Sequence, residues 1–281
     1  MNEEFLINNY LKKLSKNNPS SLDLNDDVFF DKNKKLVISV DNYNEGIHFI
    51  NFKKPDLVIR KIIRSSISDI YAKGVKPNYY FLAGSGNKKH FTKKNLSLIN
   101  RSLFNEQNRF NIKLSGGDTT SAKSLSFTVI SLGYSNKIVY RNKAKNGDDI
   151  YITGNLGDSY IGLKALKKKI NLNSIQKKYF IDKYYSPNLP IEFSSHLFKI
   201  ANCSMDISDG LEIDMNKLIN KQKLGYLIDI DKIPKSNHLK LLIKQKKLNK
   251  LNYLFNGDDY QILFTASKSK RKYIKLLSSK M

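Results

Sequence analysis

Apolar positions along the 281-residue chain recur at two periods, one helical and one extended. Phe5, Ile7, Tyr10, Leu11 and Leu14 fall on one face and predict an amphipathic first helix over 4–15. Leu57, Ile62, Ile63, Ile67 and Ile70 do the same over 56–73, and Gly74 follows where a left-handed C-terminal cap belongs. Residues 91–110 read as a third helix. Short apolar runs predict strands at 36–40, 79–83, 112–114 and 125–134. A second region begins near Ile138. There 149–153 alternates into a strand, and Gly154, Gly157 and Gly162 bracket a helix start. Residues 189–201 read as a helix, 204–207 as a strand, a helix follows Asp209-Gly210, and 226–230 and 260–264 are late strands. Strands and helices interleave in both halves, so the expected class is α/β (α+β) with two domains, 1–137 and 138–281.

With 40% hydrophobic residues the chain can bury a sizeable core, and 15 Phe and 16 Tyr supply its large side chains in the absence of Trp. The net charge of +24 raises the possibility of a nucleic-acid partner. The distribution of that charge argues against one. Lysines run evenly from Lys12 to Lys280, and only Arg60, Arg64, Arg101, Arg109, Arg141 and Arg271 carry the planar guanidinium suited to bidentate phosphate contacts. An even excess of Lys, Asn and Ile is what AT-rich codon usage produces. The lone Cys203 excludes an internal disulfide and a cysteine metal cluster. Met1 to Tyr10 contains Glu3 and Glu4 and no apolar core, unlike a secretory signal. No apolar run approaches the roughly 20 residues that cross a bilayer. The expectation is a cytoplasmic protein with no membrane partner.

Acids are scarce here, and several sit at the ends of apolar segments. Asp26 and Asp27 precede Val28-Phe29-Phe30, Asp41 closes the strand at 36–40, and Asp69 lies in an apolar helix. Asp118 follows a strand and two glycines, and Asp206 and Asp209 flank Ser208. Carboxylates at strand ends can converge on one cleft, and Mg²⁺ takes oxygen ligands while bridging substrate phosphates. Singly, each has an ordinary explanation: Gly117-Asp118, Asp209-Gly210 and Asn146-Gly147-Asp148 are turn formers, Asp69 could be a solvated helix residue, and His48 an ordinary loop histidine. A P-loop, the protein-kinase H-R-D and D-F-G elements, an H-E-x-x-H zinc motif and a G-x-S-x-G elbow are all missing. Any ATP chemistry must use another scaffold.

Taken in order, seven segments over residues 24–265 resemble the thiamine-monophosphate kinases, a family within the aminoimidazole ribonucleotide synthetase-like superfamily. Leu24-Asn25-Asp26-Asp27 resembles its G-D-D element. Ser39-Val40-Asp41 with Glu45-Gly46-Ile47-His48-Phe49 resembles S-x-D and E-G-x-H-F. Residues 68–77, Ser-Asp-Ile-Tyr-Ala-Lys-Gly-Val-Lys-Pro, resemble S-D-x-x-A-M-G-A-x-P. Ser115-Gly116-Gly117-Asp118-Thr119-Thr120 resembles G-G-D-T-T, and Arg141 with Ala144 to Asp148 resembles R-x-x-A-x-P-G-D. Met205 to Leu211 resembles x-D-x-S-D-G-L, and Asn256-Gly257-Asp258-Asp259-Tyr260 resembles G-G-E-D-Y.

The resemblance implies ATP-dependent phosphorylation of thiamine monophosphate to thiamine diphosphate. It implies magnesium ions held by Asp27, Ser39, Asp41, Asp69, Asp118 and Asp206, with a further ion at Asp209. Gly117, Asp118, Arg141 and Ser208 are implied at the ATP, and His48 and Asp258 at the thiamine phosphate. It further implies a homodimer in which N-terminal mixed sheets pair, with an α/β C-terminal domain beside each. Three departures stand out: Asp258 where the family has Glu, Asn25 where it has Gly, and an end at Met281 where relatives continue to an aromatic residue that stacks on the substrate. Rival readings are another ATP-using member of the superfamily, an inactive nucleotide-binding remnant and a basic nucleic-acid-binding protein. Selenophosphate synthetase and the hydrogenase-maturation dehydratase carry a Cys (or selenocysteine) near a terminus, which mid-chain Cys203 does not match.

Overall fold

A computed structural model describes residues 3–249, 251, 253 and 255–280, so the outer limits of the two expected domains, Met1 and Met281, lie outside the described residues. The N-terminal half builds a six-stranded mixed sheet. Strands β1 (Phe29–Asp31), β2 (Leu36–Asn44), β3 (Pro77–Gly86), β4 (Lys113–Leu114), β5 (Thr119–Ser121) and β6 (Ser126–Tyr134) run in the order β1-β2-β6-β3-β4, with β5 also on β3. The first four are antiparallel, and β4 and β5 add in parallel. Strand side chains alternate between faces, so the register fixes two very different surfaces. One face carries Val37, Ser39, Asp41 and Tyr43 beside Phe127, Val129 and Ser131. The opposite face lines up Val40, Ile130 and Phe81 in one row and Ile38, Leu132 and Tyr79 in the next.

Helix α2 (Pro55–Ala72) covers the first of these faces. The short α1 (Glu3–Leu6) precedes it in the chain, and α3 (Lys93–Phe110) packs beside it. Pro55 at the first turn starts α2, and Gly74 at φ +78° ends it. Gly74 N donates to Tyr71 O and Val75 N to Ile70 O, closing the orphan carbonyls in a Schellman motif. Val58, Ile59, Ile62, Ile63, Ile67 and Ile70 are essentially solvent-free, and burying each contributes roughly 1.5–3 kcal/mol.

The second half forms a three-stranded antiparallel sheet, β7 (Asp149–Ile152), β9 (Ile262–Ala266) and β8 (Cys203–Asp206), in that order. Around it lie α4 (Asp158–Leu166), α5 (Ser174–Tyr185), α6 (Ile191–Ser194), α7 (Leu197–Ile200), α8 (Leu211–Leu218), α9 (Asn237–Lys246) and α10 (Arg271–Ser278). The α/β class holds.

Three readings need correction. Residues 4–15 are helical, but in successive α, π and 3₁₀ turns, and Phe5, Tyr10 and Leu14 are exposed instead of buried. The helix expected over 189–201 is two short ones, α6 and α7, and Ser194 at the end of α6 donates its hydroxyl to Tyr71 O. Residues 226–230 form no strand. Tyr226, Ile228 and Ile230 do pack on the second core, so their alternation is real. Their backbone stands off the free edge of β7 across a cleft of about 540 Å³, and no ladder forms.

Candidate active site

Helix α2 runs between the two sheets with a polar stripe down its buried length: Lys61, Ser65, Ser68 with Asp69, and Lys73 just past its end. These positions recur about every four residues, so they stack on one side. Each finds a partner far away in sequence. Lys61 pairs with Asp258 (2.8 Å), and Ser65 donates to Tyr43 Oη (2.8 Å). Ser68 donates to Asp206 Oδ2 (2.5 Å), while Asp69 Oδ2 accepts from Ser39 Oγ (2.5 Å). At about 1.5 Å of rise per residue, Lys61 and Asp69 lie roughly 12 Å apart along the axis.

At the middle of the stripe the acids converge. One carboxylate oxygen each from Asp27, Asp69 and Asp206 falls within 4.8 Å of the others. Asp41 joins them from β2, on the same sheet face as Ser39. Burial first, and the neighbouring Asp206 charge second, push the Asp41 carboxyl up to about 7. Asp69 and Asp206 are also raised, again mainly by burial. Asp41 Oδ2 is buried without a hydrogen-bond partner. An orphaned oxygen among crowded carboxylates is costly to maintain unless a cation completes it. The all-oxygen donor set suits a hard ion such as Mg²⁺, so the residues fit one.

One end of the cluster already has its cations. Lys73 Nζ lies 2.6 Å from both Asp26 Oδ1 and Asp27 Oδ2, and donates to Ser204 O (2.9 Å). Arg141 pairs through Nη2 with Asp27 Oδ1, and its backbone N–H donates to Asp26 Oδ2. The opposite end of the stripe is aromatic. Lys61 Nζ sits 3.6 Å from the Tyr184 ring centroid, and Tyr260 Oη donates to Asp258 Oδ1 (2.9 Å). His48 stands at the rim, and its Nδ1 accepts from Asn44 N (2.9 Å). Partial burial holds its imidazole below the usual range, so near neutral pH Nε2 carries the proton and faces outward as a donor.

The remaining expected residues are more dispersed. Asp118 is exposed and caps Thr119 N, on β5 beyond β3. Within the chain, three strand spacings of about 4.8 Å separate it from Asp41, roughly 14 Å between backbones. Gly117 is required there, because a Cβ would lie 1.9 Å from Leu82 O. Asp209 is exposed and pairs with Lys217 (2.5 Å). Ser208 lies in a loop shaped by Asp214, whose Oδ2 accepts the N–H groups of Ser208, Asp209 and Gly210 (each 3.0 Å). The 256–258 loop presses on this turn so closely that Gly257 admits no Cβ, with Ser208 O at 1.8 Å. Sequence reasoning missed Lys61, Lys73 and Asp214. The two lysines fall in register with Ser65 and Asp69, a signal masked by the abundance of lysine; Asp214 gave none.

Residues 24–134 match the family described as AIR synthase related protein, N-terminal domain. The thiamine-monophosphate kinase of Buchnera aphidicola (Acyrthosiphon pisum strain) is 34% identical over 98% of this chain and 86% of its own length. The chain belongs to the thiamine-monophosphate kinase family. The family enzyme of Aquifex aeolicus is 31% identical over 84% of this chain and 78% of its own. Among solved structures, AaThiL complexed with AMPPCP and TMP superposes with a TM-score of 0.86 at 28% identity, covering 95% of this chain and 86% of that one. A hydrogenase maturation protein HypE in complex with ATP shares the fold at TM-score 0.67 and 16% identity. In this kinase family member, then, the acid cluster lies on a scaffold that a relative uses with an ATP analogue and TMP bound.

Proposed function

We propose that this chain transfers the γ-phosphoryl group of ATP to the phosphate of thiamine monophosphate, giving thiamine diphosphate. The observation that carries the reading is the buried convergence of Asp27, Asp41, Asp69 and Asp206 in a member of this family. The acceptor is a phosphate oxygen already ionised at neutral pH, so no side chain need act as a base. The obstacle is repulsion between two polyanions, roughly 4 kcal/mol per pair of unit charges about 4 Å apart at an effective dielectric near 20. Magnesium supplies the countercharge and alignment for in-line transfer. Asp41, Asp69, Asp206 and Asp27, with Ser39, would hold it; Asp118 would hold metal and meet the nucleotide from its loop, and Asp209 would hold a further ion. Gly117, Arg141 and Ser208 are assigned to ATP. His48, through Nε2–H, and Asp258 are assigned to thiamine monophosphate, about two helical turns along α2. ATP consumption that depends on both thiamine monophosphate and Mg²⁺ is the test; ATP binding without any thiamine diphosphate formed would reject the substrate.

The same reading includes a cytoplasmic homodimer of two-domain chains divided near residue 138, each sheet lying on one side of that point. The outward face of the N-terminal sheet supports the dimer: Val40, Tyr79 and Tyr134 are 63%, 40% and 55% exposed within otherwise apolar rows. Contiguous apolar surface of this kind marks an interaction site. Light scattering should give about twice the chain mass of 32.3 kDa. Among the described residues, no helix is long and apolar enough to cross a membrane.

A further inference from the structure

Lys73 is the most completely enclosed cation beside the acid cluster. It has no solvent exposure, and its ammonium is ringed by three oxygens from two separate segments: Asp26 Oδ1 and Asp27 Oδ2 from one, Ser204 O from the other. The Ser204 carbonyl accepts its hydrogen bond, and the two carboxylates hold it as ion pairs. Two of the three oxygens are carboxylates, so Nζ occupies the point between Asp26 and Asp27 that a bridging ion would take. Arg141 engages the other oxygen of Asp27. Formal charges at this end therefore cancel, two acids against two bases. Asp41, Asp69 and Asp206 have no ion-pair partner among the described residues, and Lys73 bears on two of them, Asp69 and Asp206, only through space.

We propose that Lys73 is a built-in counter-cation that takes the place of one divalent ion at the Asp26–Asp27 end of the site. The idea rests on the magnesium reading above. A divalent ion needs oxygens at about 2.0–2.1 Å and cannot share the space between these carboxylates with an ammonium held at 2.6 Å. The wild-type chain should thus bind fewer ions than its count of carboxylates suggests, and should keep its Asp26–Asp27 end in place without metal.

The test counts Mn²⁺ bound per chain by electron paramagnetic resonance, with saturating AMPPCP, in the wild type and in Lys73→Met. The variant should bind one more ion than the wild type. Its melting temperature should fall in chelator and recover with Mg²⁺ by more than the wild type's does. An equal or smaller ion count in the variant overturns the proposal while leaving the magnesium reading intact. Absence of any bound Mn²⁺ in the wild type overturns both. If Lys73→Met does not fold in chelator, refolding on addition of Mg²⁺ supports the substitution of one cation for the other. If neither Lys73→Met nor Lys73→Gln folds even with Mg²⁺, the metal cannot replace the ammonium and the proposal fails.

Discussion

The Asp26–Asp27 end of the acid cluster and its Asp41–Asp69–Asp206 end are made of one residue type and adjoin one another, yet they differ in who supplies the positive charge. At the first end the fold does so itself, through Lys73 and Arg141. At the second, burial raises all three carboxyls, neighbouring carboxylates raise Asp41 and Asp69 further, and no ion-pair partner lies among the described residues. A pair completed within the chain acts as structure, because breaking it strands a buried charge. A group left incomplete is poised for a ligand, and its cost to stability is part of what ligand binding recovers.

The sharpest break in this comparison is substitution by Asn at each end. Asp69→Asn removes one of three buried carboxyls whose ionisation the fold disfavours, so the metal-free chain should melt higher. Its turnover should nevertheless fall by about 10³-fold or more, equivalent to about 4 kcal/mol of transition-state stabilisation. Near-normal turnover in this variant would end the metal assignment. Asp27→Asn acts in the opposite sense on stability. It leaves Lys73 and Arg141 short of a partner and should cost about 3–5 kcal/mol, lowering the melting temperature by roughly 10 °C. If both variants shift the melting temperature the same way, the two ends are not distinct.

A smaller effect follows from pH. Asp41 holds its proton in the folded chain up to about pH 7, whereas the unfolded chain releases it near the ordinary carboxylate value of 3.8. Between those limits the folded state binds more protons, so metal-free stability falls as pH rises from about 4 to about 7. Mg²⁺ favours the ionised carboxylate, so its binding should tighten over the same window and flatten the profile. Melting curves at pH 5 and pH 8, with chelator or with Mg²⁺, measure both slopes; a chelated chain no less stable at pH 8 contradicts the raised carboxyl. Smaller again is Arg141→Lys, which keeps the charge on Asp27 and loses the planar fork. ATP affinity should drop several-fold by calorimetry with little change in melting temperature. Unchanged affinity would confine Arg141 to the paired end as structure.

These two ends were not equally legible in the chain. The bare end was, because Asp41 follows an apolar run, Asp69 interrupts an apolar helix, Asp206 ends an apolar strand, and ordered motifs with fixed spacing tie them together. The sheet and α2 were legible for the same reason: Val37, Val129 and Ile62 repeat at the strand or helix period over long, fully buried stretches. At the paired end Asp26, Asp27 and Arg141 were legible as motif residues, but the lysine that joins them was not. The register of Lys73 and Lys61 with Ser65 and Asp69 is lost among 49 evenly spread basic residues until tertiary packing removes the two from water. Residues 226–230 show the converse failure, since alternation reports which side chains face a core and says nothing of whether a neighbouring strand edge is within hydrogen-bonding reach. The exposed Phe5, Tyr10 and Leu14 have helical spacing but no core of their own chain to cover.

The smallest predicted change lies at the third, aromatic end of the stripe, where a charge is paired and yet assigned to a substrate. Asp258 Oδ1 is shared by Lys61 and Tyr260 Oη, which draws the carboxylate back toward α2. Its backbone is at φ +71°, a left-handed conformation that Asp tolerates better than longer side chains. Asp258→Glu would extend the carboxylate by one methylene toward the space faced by His48. The KM for thiamine monophosphate should then fall several-fold while kcat stays within about two-fold, as expected when a contact is made equally in ground and transition states. The same variant should lose about 1 kcal/mol of stability, because Glu at a left-handed position carries backbone strain that Asp largely escapes. A KM that does not move, with that stability loss present, would place Asp258 with Lys61 as an internal pair and leave His48 as the substrate contact at this end.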